Sequence, residues 1–262
     1  MNEKIKAYWE ERAEKNKGSL TATTDDIYMR ELEINTIVDQ LKKLRPKKGA
    51  RIIDIGCGDG NTLIKISGLF PEFDYTGVDY AEGMIENART RLQASGMRNL
   101  KFVAGDVLEL GTQFAGEKFN LVMTDRCLIN LESFKLQAKA LAEIAGIIDK
   151  NGHFLAIENF AEGQDNLTAA RLKMGLEPIP VRWHNKFFKE EQFKTACKKH
   201  FKAIEILDFS SSYYFATRVL YSAMCKAEGV TPDYAHIIHK LSIDLPWVGC
   251  YSPIRMAIMK KR

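Results

Sequence analysis

Glycines at alternate positions, with an aspartate before them and another downstream, form the part of the chain best suited to ligand binding. The motif Asp54-x-Gly-x-Gly-x-Gly60 ends a β-branched run, and a second apolar run ends in Asp79. Glycine has no Cβ, so the backbone of such a turn can pass close to a ligand. Asp79 lies at a suitable distance downstream to accept hydrogen bonds from ribose hydroxyls. The pattern predicts a nucleoside-binding strand–helix–strand unit.

Two common phosphate-binding motifs do not fit this turn. A dinucleotide fingerprint has the form G-x-G-x-x-G, and Asn61 stands where its third glycine would be. The chain also has no phosphate loop of the form G-x-x-x-x-G-K-[ST]. The ligand expected here is therefore a nucleoside without a diphosphate on the helix N-terminus.

The glycine motif resembles motif I of the class I S-adenosylmethionine-dependent methyltransferases. Four further segments resemble later motifs of that family in the right order: Asp79–Met84, Ala104–Val107, Phe119–Leu131 and Leu141–Asn159. Together the five features extend over roughly residues 25–160. The resemblance implies S-adenosylmethionine (SAM) as cofactor and S-adenosylhomocysteine (SAH) as its product.

The resemblance also implies a set of residues along the methionine portion of SAM. They are Arg30, Asp54, Gly56, Cys57, Gly58 and Asp125. Asp54 is expected to order the turn, Asp125 to lie near the amino group or the donor methyl, and Arg30 to bind the carboxylate. Plainer roles also fit, since Asp125 could cap a helix or pair with Arg126, and Arg30 could lie on a solvated helix face.

A second set is implied for the nucleoside portion. Asp79 is expected to hold the ribose, while Tyr80 and Met84 flank the adenine. Asp106 is expected to accept a hydrogen bond from the adenine amine, and Val107 to donate its backbone N–H. An exposed loop acid is the alternative for Asp106.

The elements that position these residues alternate between strand and helix. A helix capped by Thr24 or Asp25 precedes the predicted strands, which are 51–55, 75–79, 100–104, 119–124, 153–158, 203–209 and 254–259. Such alternation predicts an α/β fold with a doubly wound, Rossmann-like sheet. The family resemblance implies seven strands with the final strand antiparallel. Ligands of these sheets bind at the carboxyl ends of the strands.

One domain is expected over residues 1–262. It comprises an N-terminal helical cap (1–45), a cofactor-binding core (46–160) and two substrate-lid insertions (161–200 and 211–250). The insertions are rich in aromatic residues, among them Trp183 and Tyr214, which could pack the lid or stack on a ring of the substrate.

A general base is expected where the acceptor would lie. Glu158 ends the fifth strand, and His184 lies in the first lid insertion; both can take a proton near neutral pH when their pKa is tuned. His236 and His239 share the spacing of a metal-binding pair but lack a third ligand, which favours surface or lid histidines and no metal site.

Composition narrows the class further. The 262 residues carry a formal charge of +4, and the basic clusters fit helix ends better than a nucleic-acid surface. The sequence has no apolar run long enough for a membrane span and no secretory signal. Five scattered cysteines without C-x-x-C are typical of a reduced, cytoplasmic protein.

Methyl transfer to a small-molecule or glycan acceptor is therefore the expected function, with no membrane partner. An RNA or protein methyltransferase is an alternative, but it predicts a basic groove and an appended module that the sequence lacks. A non-catalytic SAM-binding regulatory protein is a second alternative. The sequence carries no signal for the oligomeric state or for the acceptor atom.

Overall fold

The structure is a computed structural model that describes residues 3–19 and 21–262. Within those residues one seven-stranded sheet has the order β3-β2-β1-β4-β5-β7-β6. Its strands are β1 (Arg51–Ile55), β2 (Asp74–Asp79), β3 (Leu100–Ala104), β4 (Phe119–Asp125), β5 (Ile148–Asn159), β6 (Phe201–Leu207) and β7 (Ile254–Lys261). The first five strands pair in parallel, while β7 is antiparallel to β5 and β6. The predicted fold class is confirmed.

Helices cover both faces of the sheet. They are α1 (Glu3–Lys15), α2 (Ile27–Leu44), α3 (Asn61–Leu69), α4 (Glu82–Ser95), α5 (Leu110–Gln113), α6 (Phe134–Ile147), α7 (Ala161–Lys173), α8 (Glu190–Cys197), α9 (Ser211–Tyr214), α10 (Tyr221–Glu228) and α11 (Ile237–Leu241). A π-helical segment, Phe215–Leu220, joins α9 to α10. The cap of α2 is Asp26, whose carboxylate accepts from the Met29 N–H at 3.0 Å, so the prediction of Thr24 or Asp25 was wrong.

Alternating side chains of the central strands fill two separate cores. In β1, Ile53 points into the core beneath α5, α6 and α8, while Ile52 points into the core beneath α2, α3 and α4. Both side chains are fully buried. Strands buried on both faces need continuous apolar runs, which explains the sequence of β1 and β4.

The start of β5 differs from the sequence prediction, which placed the beginning of this strand at residue 153. The segment 149–152, expected to be a turn before the fifth strand, lies inside β5, which begins at Ile148 opposite Phe119. Asn151 there has a φ of 66°, and the pairing of β4 with β5 shifts register between Phe119 and Leu121. A bulge keeps the chain in the sheet where a turn was predicted.

Only part of the first predicted lid covers the sheet edge. Phe193 and Cys197 of α8 are buried in the core with Phe160 and Phe201, so α8 belongs to the helix layer that supports β6. The rest of the two predicted lid insertions forms α7, the loop 174–189 and the helical region from α9 to α11. In the described ranges, no helix is both long and apolar enough to cross a bilayer.

Candidate functional site

A cavity of about 290 Å³ opens at the carboxyl ends of the parallel strands. The turns after β1, β2 and β4 line one side, while α7, the loop 174–189 and the π-helical segment line the other. This is the edge at which doubly wound sheets bind ligands. The cavity therefore brings most of the predicted site residues together.

The glycine turn after β1 adopts a backbone that favours glycine. Gly56 has a φ of 79° and Gly58 a φ of 54°, both in the left-handed region. A Cβ on Gly56 would stand 2.6 Å from the Cβ of Cys127, so any side chain there would displace the turn after β4. Cys57 also lines the cavity. The turn thus packs closely while keeping its backbone open to the ligand space.

Asp79 ties the ends of β1 and β2 together. Its carboxylate accepts from the Gly58 N–H at 2.8 Å and from the Ala81 N–H at 2.9 Å. Burial raises the pKa of Asp79 to about 6, although these two hydrogen bonds lower it. Tyr80 and Met84 line the cavity beside it. These three of the five residues predicted around the nucleoside are adjacent at this edge of the sheet.

The third predicted motif lies only partly on the cavity. Val107 lines it, but Asp106 is not among the lining residues, and its carboxylate accepts from the Leu108 N–H at 2.9 Å. The adenine contact of Asp106 stays a prediction.

A cluster of buried charges lies beneath the methionine side. Asp54 and Asp125 both line the cavity with Arg30, whose guanidinium is 3.7 Å from Asp59. Arg126 pairs with Asp125 at 3.4 Å and with the fully buried Glu33 at 3.1 Å. Burial lowers the pKa of Arg30 and raises that of Asp125, and the opposite charges nearby counter both shifts. The ion-pair role considered for Asp125 is therefore present alongside its place on the cavity.

The N-terminal helix contributes cavity residues that the sequence analysis did not identify. Lys6 and Trp9 of α1 line the cavity, and the Trp9 indole N–H donates to Asn130 Oδ1 at 3.2 Å. Glu10 holds α1 in place, since its carboxylate accepts from the backbone N–H groups of Glu82 and Gly83 at 2.8 and 2.9 Å. A glutamate near the N-terminus of its own helix can be recognised from the local sequence. Glu10 instead binds the N-terminus of α4, where Glu82 lies 72 residues further along the chain, so this contact has no local signal.

The loop before α2 also reaches the cavity, with Thr23, Thr24, Asp25 and Asp26. This run was interpreted only as a helix start, because short polar residues before an apolar helix are typical N-caps. No local pattern distinguishes a cap from a cavity wall.

His184 lines the cavity, with a side chain that is 5% exposed. Its ring packs against Tyr8 with 4.5 Å between ring centroids and against Trp9 at 5.7 Å. Burial lowers the pKa of His184 to about 4, and the charge of Arg182 adds to this effect. The imidazole is therefore neutral at physiological pH.

Glu158 does not face the substrate space as predicted. Its side chain is 0% exposed and is absent from the cavity lining. Its carboxylate accepts from the backbone N–H groups of Leu128 and Ile129 at 3.0 and 3.3 Å. Burial raises its pKa to about 8. Side chains alternate along a strand, and Glu158 faces the side that holds the turn after β4, so its contacts position that turn, away from the cavity where a base is expected.

The two spaced histidines also have separate roles. His236 is exposed and stacks on Tyr221 at 4.4 Å, whereas His239 is 2% exposed and lies 2.9 Å from the Tyr213 hydroxyl. His236 is a lid histidine as predicted, but His239 is a buried one. Among the described residues, no three potential metal ligands cluster together.

The lid aromatics divide into two groups. Phe187, Tyr214 and Tyr234 line the cavity. Trp183 and Trp247 are 65% and 62% exposed and do not line it, and Trp183 packs against the rings of Tyr8 and His184, as in the lid-packing role considered for it.

This chain belongs to the family of methyltransferase domains. A family model described as a methyltransferase domain matches residues 46–208. The match begins two residues after α2 and ends just beyond β6, and it includes every strand except β7. The resemblance seen in the sequence motifs is thereby confirmed.

Individual relatives match a shorter region. The chain is 30% identical to the uncharacterized methyltransferase YcgJ of Bacillus subtilis over 111 residues, 42% of this chain and 41% of that protein. It is 29% identical to a demethylmenaquinone methyltransferase of Staphylococcus aureus over 119 residues, 45% of this chain and 46% of that protein. The matched region spans less than half the length of either relative.

The whole fold matches a solved methyltransferase structure. The magnesium protoporphyrin IX methyltransferase of Synechocystis, crystallised with bound SAH, aligns over 98% of both chains with a TM-score of 0.63 and 13% identity. At this identity, the likeness is one of fold.

Proposed function

We propose that this chain transfers a methyl group from SAM to a small-molecule acceptor. The observation that carries the proposal is the open glycine turn at Gly56 and Gly58, fixed by Asp79 at the base of a cavity covered by a lid. In a chain of the methyltransferase domain family, this turn is the expected binding place of the methyl donor.

The charge of the cavity supports a cationic ligand. Burial raises the pKa of Asp54, and the charges of Asp125 and Asp79 raise it further. Asp54 Oδ1 is buried and has no hydrogen-bond partner in the part of the chain that the structure describes. A sulfonium and an ammonium group relieve this repulsion among carboxylates, whereas the diphosphate of a dinucleotide would add to it. The residues present therefore fit SAM.

The chain's own residues would align the reactants and exclude water. Asp79 would hold the ribose, Arg30 the carboxylate, and the glycine turn the methionine chain. When bound, SAM supplies the methyl group, whose C–S bond breaks as the acceptor's lone pair bonds to the carbon. The lid and α1 would close the cavity, which favours an in-line approach. The acceptor's proton would leave to His184 or to solvent.

Calorimetry with SAM and with NAD tests the cofactor, and label transfer from methyl-labelled SAM into a metabolite extract tests the reaction. We expect micromolar binding of SAM, no binding of NAD, and label in small molecules. Binding of NAD alone contradicts the proposal. Label in RNA or protein favours the macromolecular alternative, and tight SAM binding without any transfer favours a regulatory role.

Replacing His184 with alanine is expected to lower the single-turnover rate by about 10²–10⁴-fold at saturating SAM, the usual effect of removing a general base. Because the pKa of His184 is lowered to about 4, nearly all of its imidazole is unprotonated above about pH 5. The wild-type rate above that pH should therefore not change through titration of His184. Rapid-quench measurements check this, with His200→Ala, beside β6, as control. Wild-type rates in His184→Ala would mean that alignment alone suffices.

Tyr214→Ala is expected to lower kcat/KM for the acceptor about tenfold or more, because it removes an aromatic side chain from the cavity wall. Trp247→Ala removes an exposed aromatic of the same lid that does not line the cavity; it is the matched control and should stay within about twofold of wild type. Both variants should keep the wild-type affinity for SAM by calorimetry. Equal losses of SAM affinity and kcat/KM in Tyr214→Ala would instead mark it as packing.

A further inference from the structure

The wall that the lid adds to the cavity is mainly apolar. We define the lid wall as the cavity-lining residues within segments 159–187 and 214–234. Its uncharged apolar and ring-bearing members include Leu167, Ile179, Val181, Phe187, Tyr214 and Tyr234. None of the glycine, ribose or adenine motifs lies in these segments, so the lid wall is available to the acceptor, together with the cavity residues of α1 and of the loop before α2.

Charges on the lid wall are already balanced. Among the residues that the structure describes, the lid wall has two charged side chains, Arg182 and Arg218. Arg218 pairs with the buried Asp26, and Arg182 lies 3.9 Å from Asp25. His184 is neutral because burial lowers its pKa to about 4. A charged acceptor would find no unpaired counter-charge on this wall, so the wall favours a neutral one.

The polar side chains of the lid wall are also mostly engaged. The Gln164 amide donates to the Ile179 carbonyl at 2.8 Å, and Asn185 is partly exposed to solvent. Two buried atoms differ, since neither His184 Nδ1 nor Asn159 Oδ1 has a hydrogen-bond partner among the described residues; Asn159 is 6% exposed. It ends β5, where its carbonyl accepts from the Phe188 N–H at 2.9 Å and fixes the backbone.

An unpaired buried amide oxygen carries a cost that a ligand can remove. A carbonyl oxygen out of water and without a donor has lost its hydration and gained no hydrogen bond in return. The χ2 torsion of asparagine is soft, so a small rotation presents the amide oxygen to the cavity. A hydroxyl or amine hydrogen on the bound molecule would satisfy it.

We infer that the acceptor is a neutral, largely apolar ring compound carrying a hydroxyl or amine hydrogen that Asn159 accepts. The inference rests on the proposed function and narrows its substrate class, because a sugar would bring several hydroxyls to a mainly apolar wall on which, among the described residues, the buried unpaired atoms are Asn159 Oδ1 and His184 Nδ1. Asn159 is thus assigned as a specificity-determining residue.

Three soluble probes test this assignment with SAH-saturated protein: phenol, fluorobenzene and methyl α-glucoside. Phenol and fluorobenzene have nearly the same shape and differ in the O–H donor. Ligand-observed NMR titrations should show phenol binding at least about fivefold more tightly than fluorobenzene, and both more tightly than the glucoside. Asn159→Leu should reduce the preference for phenol to less than about twofold, whereas Asn166→Leu, on the exposed side of α7, should keep it.

Several results would overturn the inference. They are equal binding of phenol and fluorobenzene by the wild type, a phenol preference that survives in Asn159→Leu, and tighter binding of the glucoside than of either aromatic probe. Absence of binding by both aromatic probes also overturns it. SAM affinity, measured separately by calorimetry, separates this failure from failure of the proposed function, since a protein that binds no SAM contradicts the function itself.

Discussion

Replacing Asp79 with alanine is expected to weaken SAM binding at least about 100-fold. Two ribose hydroxyls bonded to a carboxylate form charge-assisted hydrogen bonds, each worth roughly 1.5–3 kcal/mol. The same carboxylate also accepts from the Gly58 and Ala81 N–H groups. Its removal therefore loosens the glycine turn as well as the ribose contact, which makes the expected loss larger than for two ligand bonds alone.

Isothermal titration calorimetry measures this loss directly. Asp74→Ala at the exposed start of the same strand is the matched control and should bind SAM like the wild type. Asp79→Asn keeps one acceptor oxygen and should fall between the two. Unchanged affinity in Asp79→Ala, with a folded protein by circular dichroism, would show that this carboxylate does not hold the ligand.

The affinity for SAM should also depend on pH through Asp79. Its pKa is raised to about 6, mainly by burial, and the carboxylate is the form that accepts two hydroxyls. Affinity is therefore nearly complete above about pH 7, is about halved at the pKa of about 6, and falls further below it by up to about tenfold per pH unit. Asp79→Asn, which does not titrate, should lack this step.

The sheet was predictable because its signals are local. Apolar runs such as Ile52–Ile55 end in turn residues, and the family motifs fix their order, so strand positions in the first half of the chain agree within a residue. The errors fall where tertiary contacts decide the local structure. The segment 149–152 looks like a turn, yet β4 pairs with Ile148 and draws it into β5. Phe193 was placed in a lid, although its side chain is in the core.

The candidate site was predictable only where its residues belong to a single sequence motif. Asp79 and the glycine turn meet as expected, because consecutive parallel strands end at the same edge. Glu158 was misplaced because the alternation of side chains along β5 decides which side of the sheet it faces. Asn159, the next residue, faces the cavity by the same alternation, whereas Trp9 was missed because it reaches the cavity through packing between distant segments. The spacing of residues along the sequence does not reveal such contacts.

Gly163→Ala is expected to have the largest effect among changes outside the cofactor turn. Gly163 lies in the first turn of α7, where an added Cβ would stand 1.9 Å from the Ser252 carbonyl oxygen. The Ser252 carbonyl belongs to the backbone and cannot rotate away as a flexible side chain can. The added methyl group therefore forces α7 to move away from the segment that leads into β7. Overpacking of this kind costs about 1–3 kcal/mol, and a shift of about 1 Å in the lid can lower a rate about 100-fold.

The measurements are urea denaturation and acceptor turnover at saturating SAM. Leu167 lines the cavity one turn along α7 from Gly163, so turnover should fall about 100-fold while SAM affinity, set on the other side of the cavity, stays within about threefold. Gly146→Ala in α6 is the matched control, because an added Cβ there meets no atom within 4 Å. It should stabilise the protein by about 0.5–1 kcal/mol, since alanine suits a helix better than glycine. Wild-type stability and turnover in Gly163→Ala would mean that α7 does not rest on Ser252, and the lid would then need another anchor.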